Sequence, residues 1–205
     1  MKNYIPILTL LILSIFSCQR MEDTYVKDLH AERAIKDSLF TIEAESPLSK
    51  EQIVDFKGLK YYPINKDYLL TARIEPLSVE QIVKLKTSTD RLPDYRLYAY
   101  VYFELKGKPY KLSAYQSIDP GDDSLSKTLL FLPFTDDNST VTTYGGGRYI
   151  DFTIPEDSEF VLDFNKAYNP YCAYSHRWSC VIPPRENSLD IAIDAGEKMY
   201  PQTNH

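Results

Sequence analysis

Residues 95–105, YRLYAYVYFEL, restrict the fold more than any other part of the chain. Their odd positions (Tyr95, Leu97, Ala99, Val101, Phe103, Leu105) are apolar and their even positions (Arg96, Tyr98, Tyr100, Tyr102, Glu104) are amphipathic. Alternation with period two over this length predicts a β-strand with one face in a core. Lys106-Gly107-Lys108 reads as a turn, and Tyr110 to Gln116 as the returning strand of a hairpin. Further strands are expected over Tyr68–Glu75, Gln81–Lys86, Thr128–Leu132 and Asp190–Asp194. A second hairpin is expected from Arg148–Ile154 and Glu159–Asn165 around Pro155-Glu156-Asp157-Ser158. Asp119 to Ser126 reads as a polar loop.

Helical signals come before the strands. Val26, Leu29, Ile35, Leu39 and Ile42 recur at near-helical spacings over residues 24–44, and Ser46-Pro47 ends the pattern. Ser49 and Gln52 form a capping box for a short helix over Lys50–Asp55, and Gly58 breaks the helical pattern. The expected fold is mainly β (α+β): a single antiparallel, strongly curved sheet or partly closed barrel, with helices at its N-terminal end. Such curvature removes exposed edges.

The first residues read as an address. Lys2 is followed by an apolar run from Ile5 to Phe16, shorter than the ~20 residues that span a bilayer. This fits a secretory leader, expected over residues 1–17. Ile15-Phe16-Ser17-Cys18 resembles a bacterial lipobox in relaxed form, since Phe16 is larger than the usual residue there. The resemblance implies cleavage before Cys18 and acylation of that residue. Residues 18–23 then form a short tether, and 24–205 a single domain. The expected partner is the lipid bilayer, reached through acylated Cys18, and the expected location is the cell envelope at the outer membrane. The formal charge is −6 at pH 7, and loss of Lys2 makes it more negative. An acidic chain without a basic tract argues against nucleic acid.

Function turns on a local excess of glycine. Three of the seven glycines stand together in TYGGGRYIDF, before Arg148. They either form a turn or let backbone N–H groups approach an anion beside Arg148. The spacing matches neither a phosphate loop nor a dinucleotide fingerprint. Alternation places Arg148 on the face of Ile150, Phe152 and Ile154, where a cation must be paired. In simple register the second hairpin brings Asn165 opposite Arg148 and Asp163 diagonal to it. A small polar ligand, anionic or sugar-like, would bind there. The ligand-binding candidates are Tyr144, Gly146, Gly147, Arg148, Asp151, Asp163, Asn165, Asn169, Glu186 and Asn187. Asp163 and Glu186 are the catalytic candidates if the protein is a carboxylate-dependent hydrolase. A structural envelope protein is the third reading. The row Tyr98, Tyr100 and Tyr102 either covers a half-wet sheet face or lines a cavity.

Cys172, His176 and Cys180 are spaced by four. With Cys18 acylated in an oxidising compartment, a Cys172–Cys180 disulfide is the simpler account. Zinc on Cys172, His176 and Cys180 is a second reading, one ligand short of a closed site, and free thiols are the third. No other cofactor is implied.

The runs SPL at 46–48, FKGLKYYP, TYGGGRYIDF, LDFNKAYNPYCAYS, CVIPPRENSL and AGEKMY are similar to the bacterial DUF1684 family. That resemblance implies shared positions at Tyr144, Gly147, Arg148, Asp151, Asp163, Asn165, Tyr168, Asn169, Cys172, Glu186, Asn187 and Glu197. It implies no reaction. Val181 departs from the proline common there.

Overall fold

The computed structural model describes residues 24–118 and 127–201. The leader, Cys18, the tether and the polar loop at 119–126 lie outside the described residues. The chain divides into two compact units, one ending at Ser46 and one beginning at Pro47.

In the first unit a helix (α1) runs from residue 24 to 40, four residues short of the expected end. The chain leaves it through tight turns in which Glu45 and Ser46 N–H groups donate to the Ile42 carbonyl. Leu29 and Phe40 are buried, whereas Ile35, Leu39 and Ile42 of the expected apolar stripe are exposed. No helix among the described residues is long and apolar enough to cross a membrane.

The second unit opens with α2 (Lys50–Asp55). Both halves of its capping box form, with the Ser49 hydroxyl accepting from Gln52 N–H and the Gln52 amide oxygen accepting from Ser49 N–H. Six antiparallel strands come next: β1 (Leu69–Lys84), β2 (Asp94–Leu105), β3 (Lys108–Ser117), β4 (Leu129–Phe134), β5 (Arg148–Thr153) and β6 (Glu159–Asp163). Their order in the sheet is β5-β4-β3-β2-β1-β6. The fold is thus mainly β, a single strongly curved sheet.

Three expectations are corrected. First, β1 is one strand, with an irregularity between Pro76 and Gln81 where two strands were expected. A proline lacks the N–H that a ladder requires, so the interruption falls beside it. Second, the 148–154/159–165 hairpin does not form. β5 pairs with β4 and β6 with β1, at opposite ends of the strand order. The Pro155–Ser158 segment therefore joins the two outermost strands. At ~3.5 Å per residue so short a connector reaches only if the sheet curls until its edges approach. Phe152 of β5 and Phe160 of β6 stack across that gap, with ring centroids 4.9 Å apart and planes 16° off parallel. Third, residues 190–194 are not a strand, and the segment from Leu189 to Ala195 runs irregularly through the core.

The main core fills the concave side of the half-barrel. Ala72, Ile74, Val101, Leu112, Leu130, Ile150 and Leu162 enter it from all six strands, and Phe164, Leu189 and Ile193 plug it. A bulge in β2 between Leu97 and Ala99 splits the apolar face expected over 95–105. Ala99 to Leu105 join the main core, while Tyr95 and Leu97 pack with Leu85, Tyr115, Tyr149 and Val181 in a second cluster. The extra residue shifts the alternation by one, so the strand changes which set faces inward. Tyr100 and Tyr102 carry cations on their rings, Lys111 at 4.4 Å and Arg73 at 4.7 Å. Tyr100 and Tyr102 thus carry cations as a covered sheet face would, whereas Tyr98, at the bulge, packs against the main core.

Candidate functional site

Arg148 begins β5 and is 1% exposed. Its Nη2 donates to Asp136 Oδ2 at 2.9 Å and to the Ile193 carbonyl at 3.0 Å. Its Nη1 donates to the carbonyls of Ala195 at 2.5 Å and Glu197 at 3.3 Å. Asp136 is equally enclosed and also accepts from Ile193 N–H at 2.9 Å and the Ser139 hydroxyl at 3.2 Å. Burial pushes the Asp136 carboxyl up and the Arg148 guanidinium down, and their mutual attraction opposes both shifts. The pair sews the irregular C-terminal segment into the core, which is why residues 190–194 need no strand partner. Gly196 makes that path possible: its φ is +76°, and a Cβ there would lie 2.5 Å from the Ala167 carbonyl oxygen.

The partner differs from the one expected. Asp163 and Asn165 are turned towards each other and to Asn65, away from the Arg148 hydrogen bonds. Asp163 Oδ1 accepts from the Asn165 N–H at 2.9 Å, and the Asn165 amide bonds both backbone groups of Asn65. Asp136 went unnoticed in the sequence because it lies in the non-periodic connection before the glycines. The only signal was the need of Arg148 for an acidic neighbour.

The other candidates scatter. Asn169 donates its N–H to Glu197 Oε2 at 3.0 Å, and Tyr174 donates its hydroxyl to Glu197 Oε1. Asn187 is fully buried between β3 and β4, and all three of its amide hydrogen bonds go to Ser113 and Pro133 backbone groups. Exposed Glu186 meets the Tyr115 hydroxyl at 3.4 Å. Asp151, also exposed, accepts from Tyr168 at 2.6 Å. Asp163 and Glu186 thus serve different neighbours.

The glycines form a turn in which Gly147 N–H donates to the Tyr144 carbonyl at 3.0 Å. Gly147 has φ +86°, and a Cβ there would meet the Phe134 carbonyl oxygen and Pro183 Cγ, each at 2.6 Å. A Cβ on Gly146 would lie 2.4 Å from the Tyr144 ring. The missing side chains therefore admit a ring and a chain crossing. The turn lays Tyr144 down so that its hydroxyl donates to Cys172 Sγ at 3.6 Å.

Cys172 and Cys180, expected as a disulfide, are free thiols here. Cys172 N–H donates to Cys180 Sγ at 3.0 Å. The Cys180 hydrogen bond pulls the Cys172 thiol well below its ordinary range against the opposing effect of burial, with Tyr144 and Ser88 assisting. The same contact pushes Cys180 up, and burial adds to it. His176 is exposed, and among the described residues no group of three or more His, Cys, Asp or Glu is placed to hold a metal. The zinc alternative on Cys172, His176 and Cys180 is not supported by this geometry.

One cleft, of about 410 Å³, lies among Glu80, Ile82, Arg96, Gln116, Ser117, Ile118 and Lys127. Ile82 is registered opposite Arg96, and Arg96 opposite Gln116. Gln116 continues the alternation of Leu112 and Ala114, so this row lies on the concave face beyond the apolar core. Arg96 is held by Glu80 Oε1 at 2.5 Å and Gln116 Oε1 at 2.9 Å.

These features define a curled six-stranded antiparallel half-barrel with a buried Arg–Asp pair, a tyrosine-capped thiol pair and a polar mouth. The chain belongs to DUF1684, a family described as protein of unknown function, whose model matches residues 54–198. It is similar to the solution NMR structure of an uncharacterised protein of Haloarcula marismortui, at 36% identity and a TM-score of 0.67, over 87% of this chain and 96% of that one. No curated protein matches the chain.

Proposed function

We propose that this protein is an envelope lipoprotein, anchored through acylated Cys18, whose half-barrel binds a small polar solute. The observation that carries the reading is the polar mouth of the concave face. Ligands of barrel-like sheets commonly enter at the mouth, between apolar walls and a few placed polar groups. Arg148 does not suit this role, because it is 1% exposed and both terminal nitrogens of its guanidinium are held by Asp136 and three backbone carbonyls. Arg96 does, since its side chain is 42% exposed and already oriented by Glu80 and Gln116. A guanidinium and an ammonium (Arg96, Lys127) beside one carboxylate (Glu80) favour a solute with an anionic end and a hydrogen-bonding body. The hydrolase reading has no comparable support, since Asp163 and Glu186 face different partners.

The test is native mass spectrometry of the delipidated protein. Wild type should carry a small molecule that Arg96→Ala loses while its melting temperature holds. Retention of that molecule by Arg96→Ala, or bare chain in both spectra, overturns the binding reading. Cys18→Ala should move the protein from the membrane fraction to the soluble one, and continued membrane association overturns the anchor.

A further inference from the structure

The thiol pair stands apart from the mouth cleft, and its surroundings are built. Cys172 is 6% exposed and lies in a single turn of 3-10 helix, Tyr171–Ala173. Cys180 is half-buried and is pinned from both sides: its N–H donates to the Ser88 hydroxyl at 3.2 Å, and its carbonyl accepts from Ser88 N–H at 2.9 Å. Ile182 N–H then donates to the Lys86 carbonyl at 2.8 Å. Cys180 Sγ lies 3.0 Å from the Cys172 backbone nitrogen, and the two thiols are hydrogen-bonding neighbours. The environments of the sulfurs differ. Cys172 is enclosed and its sulfur receives the Tyr144 hydroxyl, with the Ser88 side chain assisting, whereas Cys180 is only half-buried.

We propose that Cys172 and Cys180 form a redox-convertible dithiol that exchanges with external thiol–disulfide couples, Cys180 offering the attacked sulfur and Tyr144 steadying Cys172 as the departing thiolate. In the reducing direction an external thiolate RS⁻ attacks Cys180 Sγ. The S–S bond breaks and its electron pair leaves on Cys172. A second RS⁻ attacks the R sulfur of the Cys180–S–S–R bond, releases RSSR and leaves the Cys180 thiolate; the two protons given up by the two RSH then return to Cys180 and Cys172. The net change is protein disulfide plus two RSH giving protein dithiol plus RSSR, with two electrons transferred. Oxidation is the reverse. Disulfides break faster when the leaving thiol has a lowered pKa, and a stabilised reduced form makes the couple more oxidising. A structural disulfide, by contrast, has no use for a hydroxyl aimed at one of its sulfurs. The glycine turn acquires a purpose here: Gly146 gives the Tyr144 ring the room that brings its hydroxyl to Cys172.

The experiment equilibrates the protein in glutathione buffers of graded ratio, with Cys18→Ser throughout so that only two thiols remain. Acid quench, alkylation and mass spectrometry then count the free thiols. One reversible two-electron transition is expected. Tyr144→Phe should raise the exchange constant towards disulfide about tenfold at a pH where Cys172 is ionised, which is the size of a hydrogen bond to a charged group. Cys172→Ser should trap glutathione on Cys180, and Cys180→Ser should trap none. The proposal fails if no disulfide forms at any ratio, if Tyr144→Phe leaves the exchange constant unchanged, or if glutathione is trapped on Cys172 instead. It does not depend on the Arg96 cleft: Arg96→Ala should leave the redox transition where it is.

Discussion

At the scale of single residues, Arg148 shows how a functional-looking side chain becomes architecture. Its removal would strand the Asp136 carboxylate in the core and leave the Ile193, Ala195 and Glu197 carbonyls short of a donor. Breaking a buried pair from one side costs about 3–5 kcal/mol. Arg148→Met is therefore expected to lower the urea unfolding free energy by that amount. Arg148→Lys should recover little, because one ammonium cannot reach Asp136 and three carbonyls from a single point. Alternation in TYGGGRYIDF was enough to place this arginine on an apolar face and to require a partner for it. The identity of that partner was not legible. Asp136 sits in a connection without periodicity, and the Asp163–Asn165 choice rested on a hairpin register that the fold does not use. Gly147 was legible in kind, as a turn residue, but the Phe134 carbonyl and Pro183 that exclude a side chain there are contacts distant in sequence.

Individual elements were read well where their patterns were local. The β2–β3 hairpin and the α2 capping box depend on residues a few positions apart, and both stand where the sequence put them. The 148–165 segment misled for a physical reason: two alternating runs joined by a short proline-containing loop look alike whether they pair with each other or with strands elsewhere. The sheet adds a joint that no strand pattern reveals. β3 and β4 share only the registered pair Tyr115–Phe131, and next to it Asn187 takes both backbone groups of Ser113 and the Pro133 carbonyl. One side chain thus does the work of a missing piece of ladder. Asn187→Leu would leave those buried groups unsatisfied at about 1–3 kcal/mol each. Hydrogen exchange should show early loss of protection at Ser113 N–H, while the β1–β2 ladder stays protected. Uniform protection across the sheet would show that Asn187 is a passenger.

Across the whole molecule, curvature was legible as a need to hide edges, but the closing contact was not. The Phe152–Phe160 stack is formed by the outermost strands and should contribute about 0.5–1.5 kcal/mol beyond simple burial. A double-mutant cycle of Phe152→Leu and Phe160→Leu, read by chemical denaturation, should return coupling in that range. Additive losses would mean that the connector alone holds the edges together.

The strand order also governs how a chain like this comes to be folded. Leu69 at the start of β1 must wait for Asp163, the last residue of the last strand, before its free side is occupied. The first three strands can zip up early, but until the C-terminal third arrives they present a naked backbone border to any other extended chain. Pairings this distant are slow to find. A polypeptide with such a layout is most exposed to proteases and to sticking partners during the interval before β6 docks.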